Sequence, residues 1–227
     1  MSDFDLPRRL VVEGLGTAFL VAAVVGSGIM ADRLTDDAAL ALLCNAVATG
    51  AALIVLVTVF GPISGAHFNP AVSAVFAIRR ELPARELAAY IGVQIVGGIL
   101  GTIAAHLMFG LPVLEVSSTI RTGGAQWFSE VIATFGLVAV ILAGMRFNKA
   151  AVPVLVGLYI TAAYWFTAST SFANPAVAIA RSLTSTFSGI RPIDVPAFIV
   201  AEMVGAVVAA AVMGWLLRDT SHAGAKA

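Results

Sequence analysis

The sequence predicts an all-α membrane protein with six transmembrane helices, two re-entrant half-helices and an internal inverted repeat. Its 227 residues are 59% hydrophobic and only 11% charged, with a mean hydropathy of +0.97. This composition leaves too little polar surface for a water-soluble domain. Long apolar runs occur six times, and a short Asn-Pro-Ala motif occurs once in each half of the chain.

The six apolar runs are the predicted transmembrane helices, because roughly 20 helical residues cross a hydrocarbon core of about 30 Å. Lipid offers the backbone no hydrogen-bond partners, and the runs lack the alternation of a barrel strand, so helices are expected. The first run exceeds the apolar segment of a signal peptide and is expected to remain as a span. The predicted spans are residues 10–30, 38–60, 87–109, 127–145, 150–171 and 195–217.

The two halves of the chain, approximately residues 8–109 and 125–218, carry the same landmarks in the same order. A glutamate lies near the start of each half, at Glu13 and Glu130, and each Asn-Pro-Ala motif follows the second span of its half. Three spans per half is an odd number, so the second copy must enter the membrane from the opposite side. We interpret the whole chain, 1–227, as one transmembrane channel domain built from an inverted repeat.

Each Asn-Pro-Ala motif is predicted to begin a half-helix, because asparagine is a preferred N-cap and proline suits the first helical position. The stretches that follow, 69–78 and 174–180, are too short to cross the bilayer. Inverted symmetry would bring both helix starts together near the midplane, where they line one pathway. The six motif residues are Asn69, Pro70, Ala71, Asn174, Pro175 and Ala176.

Two facing carboxamides and two positive helix ends favour a particular kind of solute. The amide N–H groups of Asn69 and Asn174 could replace water around a passing oxygen, while the helix dipoles oppose cations and protons. Uncharged hydroxylated molecules fit this chemistry. The sequence contains no phosphate-binding loop, paired metal-ligand motif or catalytic serine elbow, so no enzyme activity, metal or cofactor is predicted.

Residues 64–72 (SGAHFNPAV), residues 172–177 (FANPAV) and the acidic starts of both halves resemble the aquaporin and glycerol-facilitator family of major intrinsic proteins. The likeness covers nearly the whole chain. It implies a passive channel for water and glycerol-like polyols that assembles as a homotetramer with one pore in each protomer. The alternative is a secondary transporter, since inverted repeats with broken helices also occur there. A transporter would need a coupling site.

The resemblance also identifies a selectivity filter that departs from the family pattern. Most aquaporins carry an arginine directly after the second motif, where this chain has Val177. The other filter positions are Thr49, Ser171 and Tyr164, with Ala162 as the alternative to Tyr164. Thr49 stands where water- and glycerol-selective members carry a large aromatic, so a wide constriction is expected. Such filters resemble those of aquaglyceroporins found with bacterial arsenic-resistance genes, which adds arsenite and methylated arsenicals to the expected solutes.

Two further residues are candidates for the pathway. Arg181 follows Val177 by one helical turn on the same face, so its guanidinium is predicted to lean over the filter as a cationic vestibule. The alternative for Arg181 is an ion pair with the outer loop or with Asp194. His67 precedes the first motif and is a candidate pore-lining residue, with bracing of its loop as the alternative.

Four polar residues inside the predicted spans are interpreted as structural. Glu13 and Glu130 occupy related positions of the repeat, where an isolated membrane charge is costly. We expect each carboxylate to accept hydrogen bonds from the backbone of a re-entrant loop and to hold that loop in place. Gln94 and Glu202 receive the same interpretation.

The distribution of basic residues predicts the orientation in the inner (plasma) membrane. Six spans place both termini on one side, and nine of the thirteen basic residues lie on that side. By the positive-inside rule these segments, and both termini, are cytoplasmic. The formal net charge is zero, so no nucleic-acid partner is suggested. The nine residues are Arg8, Arg9, Arg79, Arg80, Arg85, Arg146, Lys149, Arg218 and Lys226.

Overall fold

The computed structural model describes residues 4–218, and within this range it contains eight α-helices, two short 3-10 helices and no strand. Six α-helices are long and apolar enough to cross a membrane, which confirms the predicted fold class. Lys226, one of the predicted cytoplasmic residues, lies outside the described range. In chain order the α-helices are α1 (Leu6–Leu34), α2 (Ala38–Ser64), α3 (Pro70–Ile78), α4 (Ala84–Met108), α5 (Gly124–Phe147), α6 (Val152–Phe166), α7 (Pro175–Arg181) and α8 (Val195–Leu216).

The predicted spans agree closely with the long helices, except at the end of the fifth. That span was predicted to continue to Ser171, but α6 ends at Phe166. The hydroxyl of Thr167 donates to the carbonyl of Ala163, which closes the last turn, and Thr170 and Ser171 then adopt left-handed backbone angles. The apolar run therefore contains a helix end that its hydropathy conceals.

Two bundles of three long helices form the frame. Helix α1 packs on α2 and α4, α5 packs on α6 and α8, and α2 joins the bundles by packing on α6. Small residues allow the close crossings: a side chain on Gly97 would lie 2.2 Å from the carbonyl oxygen of Gly14, and one on Gly205 would lie 2.4 Å from that of Val131. These contacts fix the distance between the helices that surround the centre.

The two short helices, α3 and α7, lie inside this frame and begin at the Asn-Pro-Ala motifs. Asn69 is the N-cap of α3 and Asn174 is the N-cap of α7, and the first helical residue of each is proline, as predicted. Helix α3 contacts α4, α5 and α8, and α7 contacts α1, α4 and α8. The long helices therefore hold both half-helices with their N-terminal ends facing each other.

Candidate functional site

A central cavity runs past the N-terminal ends of α3 and α7. Most of its wall is apolar and comes from α1, α2, α5 and α6, including Val24, Leu53, Leu137, Ile141 and Val156. The wall also contains the residues that the sequence singled out, all of them polar except Val177. These are Thr49, His67, Asn69, Tyr164, Ser171, Asn174, Val177 and Arg181.

The two motif asparagines link the half-helices to each other. Asn69 donates from Nδ2 to the carbonyl oxygen of Ala173 at 2.6 Å, and Asn174 donates from Nδ2 to the carbonyl oxygen of Phe68 at 2.8 Å. Each Oδ1 meanwhile accepts a backbone N–H at the start of its own helix, from Ala71 at 2.9 Å and from the corresponding Ala176 at 3.0 Å. Each carboxamide thus caps one half-helix and holds the loop of the other.

This arrangement leaves one N–H of each carboxamide for a third partner. A carboxamide nitrogen has two hydrogens, and the bonds to Ala173 and Phe68 use one on each side. Both asparagines are nearly buried and both border the cavity. The site therefore offers two fixed donors and two positive helix ends in a narrow apolar passage. The remaining motif residues, Pro70, Ala71, Pro175 and Ala176, are buried and form the first turns of the half-helices.

Glu13 holds the first re-entrant loop. One carboxylate oxygen accepts the hydroxyl of Ser64 at 2.7 Å and the backbone N–H of His67 at 2.9 Å. The other accepts the backbone N–H of Phe68 at 2.7 Å and the side-chain amide of Gln94 at 2.9 Å. Glu13 is fully buried, so its charge is balanced by these four donors rather than by water.

Glu130 and Glu202 hold the second re-entrant loop. Glu130 accepts the backbone N–H groups of Phe172 at 2.9 Å and Ala173 at 2.7 Å, and Glu202 accepts that of Asn174 at 2.9 Å. Both carboxyl groups are fully buried. The position that corresponds to Gln94 of the first half is therefore filled by a second acid.

Both loops need this support because non-glycine residues in them adopt positive φ angles. Ala66 and Phe68 have φ values of 49°, and Ser171 and Ala173 have values of 52° and 48°. Such left-handed conformations cost energy for residues with a side chain and persist only where surrounding contacts hold them. The buried carboxylates supply those contacts on the side of each loop that faces away from the cavity.

The four predicted filter residues lie together at one end of the cavity. The hydroxyls of Thr49 and Tyr164 are 3.2 Å apart and share a hydrogen bond. The Ser171 hydroxyl is buried without a partner among residues 4–218, and Val177 presents an apolar surface. Ala162, the alternative to Tyr164, is exposed on the outside of the bundle. The structure thus brings Thr49, Tyr164, Ser171 and Val177 to one section of the passage.

Arg181 lies at the same end of the cavity and is only 2% exposed. Its Nε donates to the carbonyl oxygen of Ser188, and its guanidinium carbon lies 3.5 Å from the centroid of the Phe172 ring. The alternative partner Asp194 is engaged elsewhere, since its carboxylate pairs with Arg191 at 3.1 Å. Arg181 therefore faces the pathway and is not paired with Asp194.

Arg121, in the loop before α5, is a charged neighbour that the sequence did not single out. Its guanidinium donates to the carbonyl oxygens of Gly189 at 2.8 Å and Ser169 at 3.3 Å, and its carbon lies 5.1 Å from the Phe172 ring centroid. Burial lowers the pKa of Arg121, and the Glu130 carboxylate opposes that change. These contacts join residues far apart in the chain, so no local pattern signals them.

His67 lies at the other end of the cavity. Its ring stacks on Phe76 with centroids 4.5 Å apart, and its Nδ1 is 3.0 Å from the hydroxyl of Ser73. The same hydroxyl accepts the amide of Gln94 at 2.9 Å. His67 therefore both borders the cavity and belongs to the network that fixes the first loop, so the two alternatives for this residue coexist.

Known proteins are similar to this chain in sequence and in fold. Residues 1–171 match the family described as major intrinsic protein. Aquaglyceroporin AqpS of Rhizobium meliloti (strain 1021) is 67% identical over 218 residues, which cover 96% of this chain and 94% of that protein. Aquaporin NIP1-1 of Zea mays is 31% identical over 211 residues, covering 89% and 72%. The X-ray structure of the aquaglyceroporin from Plasmodium falciparum superposes with a TM-score of 0.74 at 21% identity, covering 94% and 99% of the two chains, which shows a common fold.

Proposed function

Because this chain belongs to the major intrinsic protein family, which consists of membrane channels, we propose that it is a passive channel for small uncharged solutes. Water and glycerol-like polyols are the first candidates. The name of the relative from Rhizobium meliloti, an aquaglyceroporin, supports the inclusion of polyols. The central cavity is the path that these solutes follow.

The observation that carries this proposal is the pair of free amide hydrogens on Asn69 and Asn174. A hydroxylated solute loses water on entering a narrow apolar passage, and these two donors compensate part of that loss. The N-terminal ends of α3 and α7 face the same point, where their positive dipole ends raise the energy of a cation. Neutral oxygen-bearing molecules are therefore favoured over cations and protons.

The proposed solutes extend to metalloid hydroxides such as arsenite, and to methylated arsenicals. Val177 is smaller than the arginine that most aquaporins carry at this position, and it is uncharged. Thr49 likewise stands in place of a large aromatic residue. Trivalent arsenic at neutral pH is an uncharged trihydroxide similar to glycerol in its hydroxyl groups. A filter formed by Thr49, Tyr164, Ser171 and Val177 accommodates such a molecule with one apolar and three polar contacts.

A secondary transporter fits the contacts less well. Coupling to ions or protons needs a titratable group that a substrate or ion reaches. The fully buried carboxyl groups of Glu13, Glu130 and Glu202 hold backbone N–H groups of the re-entrant loops instead. Their contacts therefore favour a passive channel.

We propose that the channel is a homotetramer in the inner (plasma) membrane with both termini in the cytoplasm. Large apolar side chains are exposed on the outside of the long helices, as expected for contact with lipid or with neighbouring protomers. The basic residues at the start of α1 and near the ends of α3 and α5 support the orientation. The outer end of the cavity is then the end that contains Arg181.

Stopped-flow light scattering on proteoliposomes tests the function. Permeabilities to water, glycerol and arsenite at neutral pH should all exceed those of protein-free vesicles, and uptake should not saturate in the way a carrier does. Setting a proton gradient should leave glycerol uptake unchanged. Glycerol permeability equal to that of protein-free vesicles, with correctly folded protein present, would refute the proposed channel. Uptake driven by the proton gradient would favour the transporter.

A further inference from the structure

We propose that the outer end of the cavity is a binding site for a small, singly charged oxyanion, held directly by Arg181 and attracted by Arg121. This inference rests on the proposed function, because the site lies in the same cavity that neutral solutes cross. It adds a class of ligand that the midplane asparagines do not explain.

Arg181 has hydrogen-bonding capacity that the protein does not use. Its Nε donates to Ser188, while its two terminal amino groups make no hydrogen bond to any residue within 4–218. The side chain is nevertheless 2% exposed and forms part of the cavity wall. A guanidinium that is buried, charged and incompletely bonded is costly unless a ligand or water completes it. Its planar donor pair matches two oxygens of a carboxylate, sulfonate or phosphonate.

Arg121 adds a second positive charge behind the first. Both guanidinium carbons lie against the same aromatic ring, that of Phe172, at 3.5 Å for Arg181 and 5.1 Å for Arg121. The Arg121 donors are occupied by the carbonyl oxygens of Gly189 and Ser169, so this residue is held in place. Fixed charges in a poorly hydrated site attract an anion more strongly than charges at an open surface.

The carboxylates near this pair are engaged by other donors. Within residues 4–218, neither Arg181 nor Arg121 forms an ion pair, and Asp194, an acidic residue at the start of α8, pairs with Arg191. Asp194 also accepts the backbone N–H of Arg121 at 2.8 Å, which uses further acceptor capacity. Glu130 is occupied by the loop N–H groups of Phe172 and Ala173. Within the described residues, the two guanidinium groups at the outer end therefore have no directly bound carboxylate.

A polar group next to Arg181 completes the site. The Ser171 hydroxyl is buried and has no hydrogen-bond partner within the described range, and it borders the same cavity. It can donate to a further oxygen of an anion that Arg181 holds. The methyl groups of Val177 lie at the same level and suit a small apolar substituent. Together these contacts fit a tetrahedral or planar oxyanion with one small alkyl group and a single negative charge.

An anion at this position lies in the path of neutral solutes and should compete with them. Methanesulfonate is a suitable probe, because it is a permanent monoanion with one methyl group. Dimethyl sulfone has nearly the same shape without the charge. Glycerol permeability of proteoliposomes should be measured with either probe present on both sides of the membrane, with chloride replaced so that ionic strength stays constant. Equal concentrations inside and outside make the orientation of the protein irrelevant.

Methanesulfonate should slow glycerol flux in the wild type, and dimethyl sulfone at the same concentration should slow it much less. In Arg181→Gln the methanesulfonate concentration for half-inhibition should rise about tenfold, as expected for the loss of a charge-assisted bond. Arg181→Lys should retain part of the effect. Arg33→Gln is the matched control, because Arg33 is also an outer arginine stacked on an aromatic ring, that of Phe109, but it does not border the cavity. It should behave like the wild type.

The inference is overturned if methanesulfonate does not inhibit the wild type, or if Arg181→Gln and Arg33→Gln are inhibited equally. Inhibition is expressed relative to the uninhibited flux of each variant, so a change in basal flux does not affect the result. If the wild type conducts no glycerol, the proposed function fails, and thermal denaturation in detergent then decides the anion site. Methanesulfonate should raise the melting temperature of the wild type and not that of Arg181→Gln. No such rise would overturn the inference independently.

Discussion

The two ends of the cavity are built from equivalent positions of the repeat but differ in chemistry. Two residues before the motif asparagine stands His67 in the first half and Phe172 in the second, and seven residues after it stand Phe76 and Arg181. In both halves these two side chains stack. The His67 and Phe76 ring centroids are 4.5 Å apart, and the Arg181 guanidinium carbon lies 3.5 Å from the Phe172 centroid.

The repeat preserves the positions of these side chains but not their chemistry. The backbone places the same pair of positions in contact at both ends, and the asparagines in the middle form the same bonds in both directions. One end is bordered by the two stacked rings of His67 and Phe76, and the other by the Arg181 guanidinium stacked on the Phe172 ring. The pore is therefore symmetric in shape at its centre and asymmetric in charge at its ends.

A second difference lies behind the loops. In the first half the bracing carboxylate of Glu13 receives the amide of Gln94, whereas Glu202 occupies the corresponding position beside Glu130. Both residues reach the loop region from the third long helix of their half. Corresponding positions of the repeat therefore hold both loops, but the first half uses a carboxylate and an amide where the second uses two carboxyl groups.

Removing the bracing carboxylate should have the largest effect. Glu13→Ala leaves the buried N–H groups of His67 and Phe68 and the amide of Gln94 without their acceptor, and each unsatisfied donor costs about 1–3 kcal/mol. We expect a much lower melting temperature of the purified protein in detergent and loss of glycerol flux. Glu115→Ala, at an exposed outer position, is the control. Equal melting temperatures for the two variants would contradict the bracing role.

Alanine at either motif asparagine should be the next most severe change. Asn69→Ala and Asn174→Ala each lose a helix cap worth about 1 kcal/mol, one cross-link and one pore donor. We expect glycerol flux to fall about tenfold in each, with similar values because the bonds are reciprocal. Flux should be normalised to the amount of folded protein in the vesicles. Two variants that conduct like the wild type would disprove the midplane site.

Val177→Arg should increase the difference in charge between the two ends of the cavity. The added side chain narrows the outer filter and adds charge next to Arg181, so glycerol flux should fall by about tenfold, equivalent to a barrier of roughly 1.4 kcal/mol. Water permeability should fall less. Val177→Leu, which adds bulk without charge, is the control and should have a smaller effect. Equal losses for water and glycerol would show that position 177 does not line the constriction.

The smallest effect is expected for Glu202→Gln, which makes the second half resemble the first. A glutamine retains an oxygen that accepts the backbone N–H of Asn174 and adds an amide that donates toward Glu130. Melting temperature and glycerol flux should stay close to wild-type values. Glu202→Leu, by contrast, leaves that N–H unpaired and should lose stability by about 1–3 kcal/mol. Equal losses in the two variants would mean that packing, rather than hydrogen bonding, is what position 202 contributes.

Much of the fold was predictable, because membrane spans depend on composition and length. The N-caps Asn69 and Asn174 were predictable as well, since capping depends on residues adjacent in the chain. The end of α6 was predicted at Ser171 instead of Phe166, because residues 167–171 leave the helix without a drop in hydropathy. The contacts that hold the chain after α6 come from residues distant in sequence: the Ser129 hydroxyl accepts the backbone N–H of Ala168, and Glu130 accepts that of Phe172.

The contacts at the outer end of the cavity were harder to predict from the sequence. Tyr164 and Ala162 are two residues apart and thus point to different sides of α6, so the choice between them depends on the rotation of the helix. Packing against α2 and α5 sets that rotation, and the hydroxyl of Tyr164 then reaches Thr49. The position of Arg121 depends on a loop that folds back over residues 169–189. Local sequence patterns carry no information about either contact.

The reciprocal bonds between the motif loops also constrain the order of events during biosynthesis. The carbonyl of Phe68 and the amide of Asn69 obtain their partners only from Asn174 and Ala173, more than a hundred residues later. While a ribosome is still translating the second half, the first can insert its helices but cannot complete its re-entrant loop. Maturation of the pore is therefore a late event that both halves undergo together. A nascent chain released before the second motif would keep its apolar helices yet leave polar backbone unpaired at membrane depth, a defect that quality-control proteases can recognise.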